Sequence, residues 1–125
     1  MRDAIECEAA RMYCGKPIKD NYEYLMKKAS ELDSLSGELL EIWQSDLLFH
    51  QDLIKLSGCN VLVVEFKRMM HLSTFYQINS FLTNDERQER QSHCDLIDTL
   101  TIENPDHAEN VIRDHLKSGK RKFLY

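Results

Sequence analysis

Apolar positions recur at intervals of three and four along the chain, the spacing of helices that bury one face. From Arg2 to Tyr13 the stripe is Ile5, Ala9, Met12 and Tyr13, and Gly15-Lys16-Pro17 is expected to stop that helix. The spacing predicts a second helix from about Asp20 to Leu35, with Tyr24, Leu25, Ala29 and Leu32 inward, and a break at Ser34-Leu35-Ser36-Gly37. A third runs from about Gly37 to Ser57 on the stripe Leu39, Trp43, Leu47, His50 and Ile54. Gly58 follows it as a C′ residue free to turn left-handed. Asn60 can cap a fourth helix, Val61 to about Phe81. Val61-Leu62-Val63-Val64 has the character of a strand, but no second such run exists to pair with it. Thr83-Asn84 breaks the chain, and a fifth helix is expected from about Asp85 to Ile102. Asn104-Pro105 then supplies an N-cap and an N1 proline for a sixth helix reaching about Lys117, with Gly119 beyond it. Six amphipathic helices joined by short connections predict an all-α antiparallel bundle.

Composition narrows this picture without redirecting it. A length of 125 residues suits one domain, and no internal repeat or linker interrupts it. Four glycines and two prolines provide too few turns for a many-stranded fold. Sixteen Lys and Arg against 21 Asp and Glu leave a net charge of −5, which argues against a domain that grips nucleic acid phosphates by itself. No apolar run approaches about 18 residues, and no apolar stretch follows the N-terminal charges, so neither a membrane span nor a signal peptide is expected. Cys7, Cys14, Cys59 and Cys94 form no CxxC pair and read as small hydrophobes in a reducing cytoplasm.

The candidate chemistry lies on the apolar stripes themselves. Asp46 and His50 are four residues apart on the third helix, so both side chains share one face, among Trp43, Leu47, Leu53 and Ile54. His93 is in phase with Leu96, Ile97 and Leu100, and His115 with Ala108, Val111 and Ile112. A carboxylate and three imidazoles aimed at an interior must be paired or ligated, because burying them unsatisfied costs several kcal/mol. Three helices turning metal-competent groups inward point to one shared divalent cation. The mixed N/O donors suit Zn foremost, with Ni, Mn or Fe as alternatives, and leave coordination positions for water or a ligand carboxylate. His71 reads as core filler or surface, and His107 as solvated. No free carboxylate or imidazole stands out as a general base, which favours sensing over hydrolysis. The rival readings are a helical-bundle metalloenzyme at the same residues and an interaction bundle with hydrogen-bonded histidines.

These residues resemble a known family. Asp46-Leu-Leu-Phe-His50, then Leu53, then Ser57-Gly58-Cys59-Asn60 is similar to the D-x-x-F-H-x-x-L…S-G-N signature of FadR-type C-terminal (FCD) domains, the effector-binding halves of a branch of GntR-superfamily bacterial transcription regulators. His93-Cys-Asp-Leu-Ile97, Asn104-Pro-Asp-His-Ala108 and His115-Leu116 resemble the family's ending, and Arg2-Asp-Ala-Ile-Glu6 with Ala9-Ala10-Arg11-Met12 its opening helix. The resemblance covers essentially the whole chain. It implies a bundle of six or seven helices around a divalent metal held by Asp46, His50, His93 and His115. It also implies a small organic or sugar acid as effector, with Arg2 completing the effector pocket. Ser92 stands where the family commonly has Glu, Cys59 interrupts S-G-N, and Asn104 stands for Asp. The winged helix-turn-helix that precedes such domains is not in this sequence, so either an excised fragment of a regulator or a natural stand-alone domain is expected, with the fragment preferred. On this reading the domain is cytoplasmic, is not an enzyme, forms a homodimer, and meets operator DNA only through the DNA-reading domain.

Overall fold

The computed structural model describes residues 1–83 and 92–123, with side chains placed for 1–73 and 92–117, and among the described residues it has seven helices and no strand. They are α1 (Arg2–Tyr13), α2 (Lys16–Asp20), α3 (Tyr22–Asp33), α4 (Leu39–Lys55), α5 (Asn60–Thr83), α6 (His93–Leu100) and α7 (Pro105–Phe123). None of them is long and apolar enough to cross a membrane, among the described residues.

The expected breaks are mostly where the sequence puts them, but several act differently. Gly15-Lys16-Pro17 does end α1, and then opens the extra one-turn helix α2, because Pro17 falls in the first turn, where a missing N–H has no helical partner to lose. Gly15 has a φ of +80°, and its N–H donates to the Leu100 carbonyl at 3.0 Å. A Cβ there would lie 2.8 Å from Glu103 Cβ and 3.1 Å from its Cα, so the backbone of the α6–α7 connection excludes any side chain. The α4 helix ends at Lys55, with Gly58 in the left-handed region as expected. Asn60 lies inside the first turn of α5, and the Cys59 carbonyl accepts the Val63 N–H. The expected helix over 85–102 is shorter. Ser92 is extended (φ −74°, ψ 117°) and caps α6 by accepting the Asp95 N–H at 3.1 Å, while α6 stops at Leu100. Residues 85–91 of that expectation lie outside the described residues. Asn104 caps α7 as predicted, its Oδ1 accepting the His107 N–H at 3.1 Å, and α7 runs through Gly119 to Phe123 rather than stopping before it.

Two of the expected inward residues face out: Met12 is 46% and Tyr24 51% exposed. Each sits at the margin of a stripe whose centre (Ala9 and Tyr13; Leu25 and Ala29) fills the available space. The core joins Trp43, Leu47, Leu53 and Ile54 of α4 to Phe66 of α5, Ile97 and Leu100 of α6, and Ala108 and Ile112 of α7. Helix neighbours close a ring: α1 packs on α4, α4 on α3, α3 on α6, α6 on α7, and α7 back on α1, with α5 outside against α4 and α1. Five helices thus surround one interior, and each of them sends a polar side chain into it.

Candidate metal and effector site

Asp46 and His50 arrive together because they are one turn apart on α4, with the whole His50 side chain enclosed. His93 opens α6 and is 7% exposed, and His115 lies on α7 one turn beyond the fully buried Ile112. One donor atom from each of Asp46, His50, His93 and His115 lies within 4.8 Å of every other. The His115 ring centre is 5.2 Å from that of His50 and 5.0 Å from that of His93. The four residues expected from the stripes are therefore brought together.

Their outer nitrogens are anchored. The Nδ1 of His50 bonds Oε1 of Glu6, which is 2% exposed on α1. The Nδ1 of His93 is 2.8 Å from Oδ1 of Asp33, the last residue of α3. The inner nitrogens face the cluster. His93 Nε2 is 2.7 Å from Asp46 Oδ1, whereas His50 Nε2 is buried without a hydrogen-bond partner, its nearest carboxylate oxygen 3.4 Å away on Asp46. A buried nitrogen left in that state costs free energy unless something fills the position. Once deprotonated, a nitrogen grouped with three further donors suits a cation, and one carboxylate with three imidazoles is a donor set that first-row divalent metals accept.

Arg2 stands beside this set. It is 13% exposed, its Nε donates to Glu6 Oε2, and its Nη2 donates to Asp46 Oδ2 at 3.3 Å. The expected effector arginine is thus fixed at the edge of the cluster by two carboxylates.

Electrostatics divide the histidines. Burial pushes His50 down, but the Glu6 and Asp46 carboxylates outweigh it and raise its pKa to about 9. Burial pushes Glu6 up, yet His50 and Arg2 bring it to about 2, and the same kind of balance, with His50, His93 and Arg2, holds Asp46 well below the carboxylate range. No anchoring carboxylate bonds His115 among the described residues: burial, then the neighbouring His50 and His93, lower it to about 3.

A comparison with known families matches residues 1–118 to the FCD domain. The chain belongs to the FCD domain family. Comparisons with curated proteins and with solved structures gave no match. Membership fits a regulatory, effector-binding domain of GntR-type regulators, and the all-helical architecture agrees with it.

Of the remaining histidines in this FCD domain, His71 is exposed, as one of its two expected readings had it. His107 is half-buried rather than solvated, and its Nε2 is enclosed. All four cysteines are free thiols; Cys7 and Cys14 are buried and Cys59 and Cys94 half-buried. Sequence reasoning assigned no role to Glu6 or Asp33. Glu6 is in phase with Ala9, Ala10 and Tyr13, so the anomaly that picked out Asp46 also marks Glu6. Asp33 carries no local signal, because its partner lies 60 residues away.

Proposed function

We propose that this FCD domain is a metal-dependent sensor of small carboxylates, attached in the intact regulator to a winged helix-turn-helix whose operator binding it controls. The observation that carries this reading is the convergence of Asp46, His50, His93 and His115 donors around a buried, unpartnered His50 nitrogen. A divalent cation held by these four, Zn foremost, would offer its open positions to the carboxylate of an organic or sugar acid. Arg2, fixed against Glu6 and Asp46, presents a guanidinium at the edge of the same cluster, where a second carboxylate oxygen would be received. Glu6 and Asp33 are each engaged by an imidazole and by Arg2 or backbone N–H groups, so neither is free to act as a general base; this favours binding over hydrolysis. Because the donors come from α4, α6 and α7, occupancy would draw three helices of the ring toward one point. In a homodimer that shift would respace two DNA-reading units.

The test is a thermal melt of purified protein loaded with Zn, with and without chelator. At free metal near a hundred times Kd the cation stabilises by about 2.7 kcal/mol, so chelation should lower Tm by roughly 10 °C for a domain of this size. Organic acids should raise Tm further only in the metal-loaded protein, and less in Arg2→Gln. A Tm indifferent to chelator refutes the metal; an acid response that survives chelation refutes its place in sensing.

A further inference from the structure

The carboxylate of Asp33 does two things at once. Its oxygens accept the backbone N–H groups of His93 at 2.9 and 3.0 Å and of Cys94 at 3.2 Å, the first two residues of α6. Oδ1 also lies 2.8 Å from His93 Nδ1. The start of a helix leaves N–H groups with no internal acceptor. Ser92 satisfies the one on Asp95, and Asp33, from the far end of another helix, satisfies the two before it. One side chain therefore fixes both where α6 begins and how the ring of its first residue is turned. With Nδ1 held by a carboxylate, the ring can offer only Nε2 to the cluster, and Nε2 is the atom that points there, 2.7 Å from Asp46. A carboxylate on the far nitrogen also makes a ligating imidazole more basic, and loss of such a partner typically weakens metal binding 10- to 100-fold.

We propose that Asp33 is the positioning residue of the metal site: it orients His93 for ligation and ties cation binding to the α3–α6 joint. This rests on the metal-binding reading above. It makes α3, a helix that supplies no ligand, part of the element that responds to the cation. Metal loading should accordingly slow amide exchange at the end of α3 and the start of α6 together.

The experiment compares Zn affinity, by chelator competition, in the full chain and in Asp33→Asn and Asp33→Ser. Asp33→Asn keeps an oxygen acceptor for the α6 N–H groups at the same reach and loses the carboxylate; Asp33→Ser, whose oxygen stops one bond short, removes both and serves if the first folds poorly. Expected are metal-free melting curves within a few degrees of wild type, Zn affinity lower by roughly 10- to 100-fold, and a changed ¹⁵N signature of the His93 Nδ1–H. Wild-type affinity and an unchanged His93 signal in folded variants overturn the role of Asp33 while leaving the metal site standing. A purely structural role would lower metal-free Tm and leave affinity as it was, which also overturns it. If the wild-type chain takes up no Zn, the metal reading itself fails and this inference falls with it.

Discussion

Proton competition at His50 would give the proposed metal site a measurable pH dependence. Metal ligation requires the neutral ring, with Nε2 unprotonated. In the metal-free protein Glu6 and Asp46 raise His50 to about 9, so at neutral pH its ring is cationic and a proton must leave before Nε2 can bind. Two pH units below that value, at about pH 7, the competition costs about 2.7 kcal/mol, or roughly 100-fold in apparent affinity relative to strongly alkaline solution. Asp46 adds nothing to this dependence, since it is held ionised well below neutrality, and His115, lowered to about 3, is already neutral. Apparent Zn affinity should therefore rise nearly tenfold per pH unit from about pH 6 to about pH 8. Calorimetry in buffers of different ionisation enthalpy should find at least one proton released per cation bound at about pH 7. An affinity flat across that window, with no proton released, would refute the assignment of His50 as a ligand held between two carboxylates.

The same groups govern the metal-free fold. His50 is raised, so its contribution is complete below about pH 6.5 and is lost as pH climbs through about 9; urea titrations should register a fall of roughly 3 kcal/mol across that interval, absent in His50→Gln. His115 acts in the opposite sense: below about pH 6.5 the unfolded ring takes a proton that the folded ring refuses, so metal-free stability should also decline toward acid, and less so in His115→Phe. Gly15→Ala combines a left-handed backbone, about 1–2 kcal/mol, with an overlap onto Glu103, about 1–3 kcal/mol, whereas Gly58→Ala, with nothing within 4 Å, meets only the first. Chemical denaturation should rank Gly15→Ala clearly the more damaging, and equal losses would contradict the close approach. Replacing the α7 cap, Asn104→Ala, should cost about 1 kcal/mol by the same assay; a change under a few tenths would mean the cap bond is not formed in solution.

Local pattern made most of the fold legible. Periodicity located α1, α3, α4, α5 and α7 because each buries one face, and Asn104 announced its own helix by a cap that acts within four residues. It failed where a boundary is set from a distance. The start of α6 depends on Asp33, and the extra turn α2 depends on Pro17 being as suited to opening a helix as to closing one. The metal candidates were legible for the same reason as the helices: a polar residue on an apolar stripe is conspicuous. That logic reaches Glu6 as well, which lies among Ala9, Ala10 and Tyr13. It cannot reach Asp33, which closes α3 at a half-buried position where a polar residue is ordinary.

The charges around the cluster constrain what it would sense. Glu6, Asp33 and Asp46 are all held in the anionic form by their neighbours, and Arg2 is, among the described residues, the permanently charged cation that contacts two of them. With a divalent cation in place and every ligating imidazole neutral, three negative charges meet three positive ones among the described residues, so that part of the loaded cluster carries no net charge. An acid would then be drawn by open coordination positions and by the Arg2 guanidinium rather than by an overall positive field. One carboxylate with a neighbouring hydroxyl or carbonyl, able to occupy two positions at once, satisfies those partners; each further carboxylate would arrive without a counter-charge and face Glu6 or Asp46 at close range. In a panel of organic acids of equal size, monoacids bearing an α-oxygen should therefore stabilise the metal-loaded domain more than diacids or triacids. The reverse ranking would mean that basic residues beyond Arg2 line the place where the acid sits.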